Sequence, residues 1–404
     1  MGARRVLTVV ALALSFTVAI VLAASGWQLV REGVEGVIEK DTSAPFYSVP
    51  STVAAATPGT LYRSAPIPSA PAGIRAWRVI YHSTDVLGHD ILVSGVVIAP
   101  TGSAPRPRTV VSWGHPTTGA AARCAPSVGF APFSTIEGVN DLLKRGYVVA
   151  ATDYPGMGLE TPDSYLIGTS EGNSVLDIAR VARKLTGASD RLLLWGHSQG
   201  GHAALFAAQA APTYAPEFDL LGVGVAAPAT DLAQLLNDDI TGLAGVTIAS
   251  YAFDAYAKVY GPSVPGARLD SILTPAGAAA TPSMAELCLL GQNSQIHAIA
   301  KPLVGGYLAA NPATTQPWAS LLQSNTPGAE PINAPVFVAQ GAADTLVVPT
   351  ATDAFVAHEC STGTEVSYFT YADTTHATIA YRALPRLLDW FAGLQRGENT
   401  LEHC

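Results

Sequence analysis

Short apolar runs and helical segments alternate along most of the chain. The runs TVVSWGH, YVVAATD and RLLLWGH have almost no polar alternation, which is typical of strands that are buried on both faces. Between the second and third runs, the apolar residues of SVLDIARVARKL recur three and four positions apart and predict a helix over 174–185. HAALFAAQAA predicts a second helix after the third run, and Leu220–Ala227 predicts a further strand.

Two further patterns extend this alternation in both directions. AWRVIYHST and ILVSGVVIAP flank a turn at Asp85–Gly88 and predict a β-hairpin. Towards the other end, PVFVAQGAAD and VSYFTYADTTH resemble strands, and an amphipathic helix is predicted over 380–394. Strands that alternate with helices predict the α/β class, with a mostly parallel central sheet.

The alternation stops between residues 230 and 331. This stretch is apolar and helix-like, with interrupting Pro and Gly residues. Because a structureless loop of about a hundred residues is implausible, we interpret it as a helical cap inserted between two strands of the core. The alternative is a subdomain that packs against the core without a functional role. The core is predicted over 72–229 and 332–404, after a lead-in segment at 26–71.

Residues 1–25 are predicted to be a signal peptide or an N-terminal membrane anchor. Arg4 and Arg5 precede an uncharged apolar run over 6–24 and a few small residues, which is the order found in secretory signals. The run is close to the length that spans a bilayer, so an uncleaved anchor is the alternative. Both interpretations predict that the rest of the chain is secreted or extracytoplasmic.

Composition and charge narrow the possible partners. Of the 404 residues, 49% are hydrophobic and 13% are charged, which excludes a disordered chain. The net charge is −9 and no basic patch follows Arg5, so nucleic acid is not an expected partner. We expect the protein to be a monomer.

Cysteine usage agrees with export. Cys124, Cys288, Cys360 and Cys404 are widely spaced. They form neither a CxxC pair nor a cysteine–histidine pattern with zinc-finger spacing, and we expect no metal and no cofactor. In an exported chain an even number predicts two disulfides, for which the sequence allows three pairings. Four buried thiols are the alternative if the chain is not exported.

The segment Gly196–Gly200 reads GHSQG and matches the pattern GxSxG. A serine nucleophile at a sharp strand-to-helix turn needs small neighbours two positions before and after it. The pattern alone is weak, but here it follows the strand-like LLLW and precedes the helix-like HAALFAAQ. This context predicts that Ser198 is a nucleophile.

A serine nucleophile needs a base, and in this architecture the acid and then the histidine follow it along the chain. Asp344 follows the strand-like VFVAQG, and His376 follows the strand-like VSYFTY. We therefore predict the catalytic set Ser198, Asp344 and His376. The alternative residues are less suitable for reasons of position. Asp353 and His358 lie on a predicted helix, and Asp373 lies in the same turn as His376. His197 and His202 lie beside the serine, and His403 lies next to the C-terminus.

The chain resembles the α/β-hydrolase fold and, within it, the secretory lipase family, whose members include fungal lipases of the Candida lipase A type. The resemblance extends from about residue 45 to the end. It rests on SWGHPTTG at Ser112–Gly119, RCAPS at Arg123–Ser127, DYPGMG at Asp153–Gly158, GHSQGG at Gly196–Gly201, QGAADTLVVP at Gln340–Pro349 and THAT at Thr375–Thr378. It implies a secreted serine esterase or lipase with a helical cap and no metal.

The resemblance also implies an oxyanion hole and a disulfide pairing. HPTTG stands where other hydrolases have an HGGG-type run, and Pro116 has no N–H to donate. Thr117 or Thr118 must therefore supply the first donor, and we choose Thr118. The second donor is the N–H of Gln199. The implied disulfides are Cys124–Cys288 and Cys360–Cys404.

The predicted function is hydrolysis of carboxylic esters through an acyl-enzyme intermediate. The apolar cap favours an ester or lipid substrate with an acyl chain, although the same composition suits a cap that only buries its own surface. Fatty-acid triglycerides, short-chain esters and polyesters all stay open as substrates. Contact with a membrane or lipid interface is a further expectation. Asp153–Gly158 is interpreted either as a loop that borders the acyl pocket or as a glycine-rich turn. Two alternative functions are an acyltransferase of the cell envelope that uses the same three residues, and a non-catalytic, tethered binding protein.

Overall fold

A computed structural model describes residues 44–129, 132–133, 135–398 and 404. The signal or anchor predicted for residues 1–25 lies outside this range. Within the described part of the chain, none of the helices has both the length and the apolar character needed to cross a bilayer.

A mixed sheet of nine strands forms the centre of the described fold, with the order β1-β2-β3-β5-β4-β6-β7-β8-β9. Strands β1 to β3 pair antiparallel, β3 pairs antiparallel with β5, and all pairs from β5 onward in this order are parallel. The strands are β1 (Leu61–Pro66), β2 (Ile74–Thr84), β3 (Asp90–Pro100), β4 (Val110–Gly114), β5 (Val148–Thr152), β6 (Arg191–His197), β7 (Asp219–Ala226), β8 (Val336–Gly341) and β9 (Val366–Tyr371). The predicted α/β class with a mostly parallel sheet is confirmed.

Helices connect the parallel strands and fill the stretch between β7 and β8. The α-helices that matter here are α1 (Val139–Lys144), α2 (Gly168–Thr186), α3 (Gln199–Tyr214), α4 (Leu232–Asp239), α5 (Leu243–Val259), α6 (Pro275–Ala285), α7 (Leu289–Ala300), α8 (Trp318–Ser324), α9 (Pro349–Thr362) and α10 (Ile379–Arg396). Helix α2 begins six positions before the predicted start at 174, because its first turn carries small and polar residues that hide the apolar period.

The predicted hairpin is present, and its turn has a clear chemical cause. The Asp85 carboxylate accepts hydrogen bonds from the N–H groups of Leu87 and His89. Gly88 has a φ of 82°, a left-handed conformation that glycine adopts without steric cost. These contacts set the register in which Thr84 lies opposite Asp90.

The core begins earlier than the predicted boundary at residue 72. Residues 61–66, which were predicted to belong to the lead-in, form the edge strand β1 and pair antiparallel with β2. The sequence LYRSAP has no apolar run, and all six of its residues are partly or fully exposed. An edge strand of this kind lacks the two-sided burial on which the prediction of strands depended.

Alternate side chains of β6 enter the two layers of the core. Leu192 and Leu194 belong to the cluster that also holds the apolar faces of α2 and α3. Leu193 and Trp195 belong to the opposite cluster, which includes α10 and most of the insertion. Because both faces of β6 are covered, the strand end at His197 is fixed in position at the carboxyl edge of the sheet.

Helices α4 to α8 occupy the stretch 230–331, for which a helical insertion was predicted. Their mutual packing is dominated by buried aromatic rings. Phe253 packs edge-on against Trp318, and Tyr256 stacks on Trp318. Tyr256 also donates a hydrogen bond to the Leu166 carbonyl of the core. The insertion therefore has a core of its own that is continuous with the main one.

Candidate active site

Ser198 lies in the sharp turn between β6 and α3. Its backbone has a φ of 57° and a ψ of −119°, a combination that residues other than glycine rarely adopt. Its N–H donates to the Ala226 carbonyl on the neighbouring strand, which holds the turn in place. Strained conformations of this kind cost about 1–3 kcal/mol and persist where the surrounding structure enforces them.

Two glycines allow the helix to approach the sheet this closely. A Cβ atom on Gly196 would lie 2.0 Å from the Gly200 carbonyl oxygen. A Cβ atom on Gly200 would lie 1.9 Å from the carbonyl oxygen of Gly114 on β4. Both distances are far inside van der Waals contact, so the turn needs glycine at both positions of the GxSxG pattern.

The structure brings Ser198, His376 and Asp344 into one hydrogen-bonded chain. His376 Nε2 lies 2.9 Å from Ser198 Oγ, and His376 Nδ1 lies 2.8 Å from Asp344 Oδ2. When Nδ1 carries the proton it donates to Asp344, and Nε2 then accepts the hydrogen bond from the serine hydroxyl. Asp344 follows β8 and His376 follows β9, as the sequence order predicts.

The Asp344 carboxylate is held from both sides. Its Oδ1 accepts hydrogen bonds from the N–H groups of Leu346 and Val347, each at 2.9 Å. Its side chain has no exposed surface, whereas the side chain of His376 is 18% exposed. The imidazole is therefore anchored by a fixed carboxylate and still accessible from the substrate side.

The alternative acids and bases lie elsewhere. Asp353 accepts a hydrogen bond from the Tyr368 hydroxyl, and His358 Nε2 is 2.9 Å from the Gly328 carbonyl oxygen. Asp373 has a φ of 51° in the turn after β9. His403 is outside the described residues.

The two histidines beside the serine each pair with a buried carboxylate. His197 Nδ1 lies 3.0 Å from Glu137 Oε1, and its ring centroid is 5.0 Å from that of His376. His202 Nδ1 lies 3.4 Å from Glu171 Oε2, and its Nε2 is 2.7 Å from the Asn325 carbonyl oxygen. Sequence reasoning identified neither glutamate as a partner.

Glu171 also reaches the residue that follows the nucleophile. Its Oε1 accepts hydrogen bonds from Gln199 Nε2 at 2.6 Å and from the Leu166 N–H at 3.0 Å. Complete burial raises the pKa of Glu171 above its ordinary value. No apolar period or motif in the sequence identifies this glutamate, because its partners Gln199 and His202 lie in a segment distant along the chain.

The segment His115–Gly119 faces Ser198 across the site. Pro116 and Thr117 line the cavity beside the serine, and Thr117 Oγ1 is hydrogen bonded to the Tyr165 hydroxyl at 2.7 Å. Thr118 is buried, its Oγ1 donates to the Cys124 carbonyl, and its own carbonyl accepts from the Leu290 N–H. The first N–H groups of α3, beginning with Gln199, have no acceptor within the helix. Thr118 and Gln199 as oxyanion donors stay predictions.

Two disulfides are present, with the pairing that the resemblance implied. Cys124 is joined to Cys288, and Cys360 is joined to Cys404. The first bond ties the loop after β4 to the start of α7, next to Thr118. The second joins the last turns of α9 to Cys404, whose N–H donates to the carbonyl of Val366 at the start of β9, whereas Asp344 and His376 follow the ends of β8 and β9.

The residues Asp153–Gly158 form a turn rather than a wall of the cavity. Tyr154, Gly156 and Gly158 all have positive φ, and none of them belongs to the cavity lining. The buried Asp153 carboxylate accepts from Ser94 Oγ and from the Ser127 N–H, and burial raises its pKa to about 6. The glycine-rich-turn interpretation therefore fits this segment.

A cavity of about 170 Å³ opens beside the serine. Most of its wall comes from the helical insertion, and most of that part is apolar. The insertion contributes Leu232, Leu235, Leu236, Asp239, Gly245, Ile248, Ala249, Ala252, Phe253, Tyr256, Leu289 and Leu322. Ser198, Gln199 and His376 line the same cavity, so the reactive groups and the apolar wall face one space. Such a site can bind an apolar chain next to the Ser198 hydroxyl, which is hydrogen bonded to His376.

Comparisons with known sequences agree with this architecture. The model of the secretory lipase family matches residues 135–402. Lipase 6 of Candida albicans is 29% identical over 255 residues, which is 56% of this chain and 54% of the relative. A Mycobacterium tuberculosis relative named as a probable inactive lipase is 27% identical over 240 residues, 53% of each chain. The chain thus spans about half the length of the relatives it matches.

Comparisons of structure give the same fold over a larger part of the chain. The closed state of Candida antarctica lipase A superimposes with a TM-score of 0.73 at 19% identity, covering 89% of this chain and 87% of that one. The rice cell wall degrading esterase of Xanthomonas oryzae gives a TM-score of 0.67 at 21% identity, with coverages of 83% and 100%. At these identities the likeness establishes the α/β-hydrolase fold.

Proposed function

Because the chain belongs to the secretory lipase family, we propose that it is a serine hydrolase that cleaves lipid-like carboxylic esters outside the cytoplasm. One observation carries the proposal, namely the continuous hydrogen-bonded chain from Ser198 through His376 to Asp344. Family membership does not establish catalysis by itself, since one relative is named as inactive. The two disulfides support an extracytoplasmic location, because such bonds persist in oxidising compartments.

The first half of the proposed reaction forms an acyl-enzyme. Ser198 Oγ attacks the ester carbonyl carbon while His376 Nε2 takes the hydroxyl proton. Asp344 keeps His376 in the tautomer that can accept this proton and stabilises the imidazolium that results. His376 then gives the proton to the oxygen of the leaving alcohol.

In the second half, water replaces the alcohol. His376 takes a proton from the water molecule, the resulting hydroxide attacks the acyl carbon, and Ser198 leaves with the proton returned. The main-chain N–H groups of Thr118 and Gln199 would stabilise the negative oxygen in both halves, each donor contributing about a hundredfold in rate or more. The N-terminal end of α3 adds a positive electrostatic potential that favours the negative oxygen at the same place.

The substrate class follows from the cavity wall. The wall that the insertion contributes is mostly leucine, isoleucine, alanine and aromatic surface, which suits an acyl chain better than a polar acid. We propose that helices α4 to α8 act as a cap over the site. Contact with a lipid interface and the monomeric state stay predictions.

Substitution of the serine tests the proposal directly. Ser198→Ala should lower kcat for p-nitrophenyl butyrate on the order of a millionfold, and it should abolish labelling by a fluorophosphonate. The circular dichroism spectrum of the variant should match that of the wild type. Turnover retained by the pure, folded variant would overturn the assignment of the nucleophile.

A chain-length series tests the substrate class. Rates with p-nitrophenyl acetate, butyrate, octanoate and palmitate should rise beyond acetate, because longer chains bury more surface against the apolar wall. A sharp optimum at acetate would contradict a lipid-like substrate while leaving the serine mechanism intact.

A further inference from the structure

One carboxylate interrupts the apolar wall of the cavity. Of the described residues that line this space, Asp239 is the single acidic one, and it is contributed by the last turn of α4. The neighbouring wall of α4 is formed by Leu235 and Leu236. The presence of an acidic group in apolar surroundings requires an explanation, because burial of a charge without a partner is unfavourable.

No other group of the described chain pairs with this charge. Asp239 is partly buried, and within the described chain its carboxylate has no hydrogen bond and no ion pair. It lies at the carboxyl end of a helix, where a negative charge meets the unfavourable end of the helix dipole. Burial, followed by the charges of Asp238 and Asp344, raises its pKa to about 6. An uncompensated carboxyl group in a cleft is a typical sign of a functional residue.

Asp239 lies on the histidine side of the site, because it lines the same cavity as His376 and lies close enough to Asp344 for the charge of that carboxylate to raise its pKa. Gln234 Nε2 donates to Thr350 Oγ1, and Thr230 Oγ1 donates to the Ala351 carbonyl, so the start of α4 is fastened to the start of α9. Helix α9 follows directly after the loop that carries Asp344. His376 protonates the oxygen of the leaving alcohol, and the alcohol part of an ester must therefore occupy this side.

We propose that Asp239 is a specificity-determining residue that accepts a hydrogen bond from a hydroxyl group on the alcohol part of the ester. The inference rests on the proposed hydrolase function and refines its substrate class to esters of polyols that keep a free hydroxyl. The acyl chain occupies the apolar wall, and the hydroxyl supplies the partner that the carboxylate lacks.

Two nearly isosteric esters test this inference. 2-Hydroxyethyl butyrate and propyl butyrate differ only in whether the alcohol ends in a hydroxyl or a methyl group. The measured quantity is the ratio of their kcat/KM values, in which a general loss of activity cancels. Asp239→Leu should lower this ratio by about tenfold or more, since a hydrogen bond to a charged group is lost. Asp239→Asn keeps one acceptor and should lower it less.

Asp238→Asn is the matched control, because it removes the same charge from the exposed neighbour, which does not line the cavity. Its ratio should equal that of the wild type. An unchanged ratio in Asp239→Leu, or an equal fall in Asp238→Asn, would overturn the proposal. Choline butyrate, whose alcohol part carries a cation, is measured as a third ester. If Asp239→Leu lowers kcat/KM for this ester alone, the proposal is also overturned and recognition of a cation is indicated. If wild-type protein hydrolyses none of these esters, the hydrolase function itself fails.

Discussion

The disulfide between Cys124 and Cys288 should support both the stability and the activity of the protein. It closes a loop of 164 positions, for which the chain-entropy relation gives about 5 kcal/mol of stabilisation. The bond also fixes the segment opposite Ser198, because Thr118 Oγ1 donates to the Cys124 carbonyl and the Leu290 N–H donates to the Thr118 carbonyl. If Thr118 is an oxyanion donor, release of this segment should lower kcat by about a hundredfold.

The assay combines urea unfolding with ester hydrolysis for the double variant Cys124→Ser/Cys288→Ser. Activity is measured at a low temperature at which circular dichroism shows the variant to be folded, so that lost activity is not lost fold. The free energy of unfolding should fall by several kcal/mol. The fold-decrease in kcat should exceed the fold-increase in KM, because a contact to the transition state is affected.

The second disulfide provides the matched control. Cys360–Cys404 closes a loop of 44 positions, and the same relation gives about 4 kcal/mol. Cys360→Ser/Cys404→Ser should therefore lose similar stability but keep its kcat. Equal losses of kcat in both double variants, or wild-type kcat in the first, would refute the link between the Cys124–Cys288 bond and the oxyanion segment.

Three further predictions concern strain, a buried carboxyl group and a buried acceptor. Ser198→Gly should be more stable than Ser198→Ala by about 1 kcal/mol, because glycine relieves the positive φ that alanine retains; equal urea midpoints would contradict this. Burial raises the pKa of Asp163 from 3.8 to about 7, so the folded state binds more protons than the unfolded state between these values, and the free energy of unfolding should fall as the pH rises through this window. In Asp163→Asn that fall should be smaller when urea unfolding is compared at pH about 5 and about 8, and an unchanged fall would argue against the buried acid. Glu171→Ala should destabilise the protein by about 1–3 kcal/mol because two buried donors lose their acceptor, whereas Glu171→Gln should cost much less, and equal losses in both would contradict the role of Oε1.

The central strands could be predicted because their own sequences are almost entirely apolar, as burial on both faces requires. RLLLWG has apolar side chains on both faces, and both faces are covered in the structure. LYRSAP could not be recognised as a strand, because an edge position needs neither two apolar faces nor a full set of hydrogen bonds. The hairpin between β2 and β3 was predictable from its turn chemistry.

In the candidate site, too, some residues could be predicted from the local sequence and others could not. The placement of Asp344 and His376 beside Ser198 was predictable, because each follows a strand that ends at the same edge of the sheet as the strand before Ser198. Glu171 and Asp239 were not, because their surroundings come from segments that are distant in sequence. Gln199 is 28 positions from Glu171, and the cavity that surrounds Asp239 is completed by residues on both sides of the insertion.

The insertion also separates the reactive groups in the order of synthesis. Ser198 precedes helices α4 to α8, whereas Asp344 and His376 follow them. A ribosome therefore makes the proposed nucleophile long before the proposed base, and a nascent chain that ends within the insertion carries Ser198 without His376. Under the proposed mechanism, incomplete chains cannot attack the lipids of the cell that makes them, and activity arises only when the last strand of the sheet has been added.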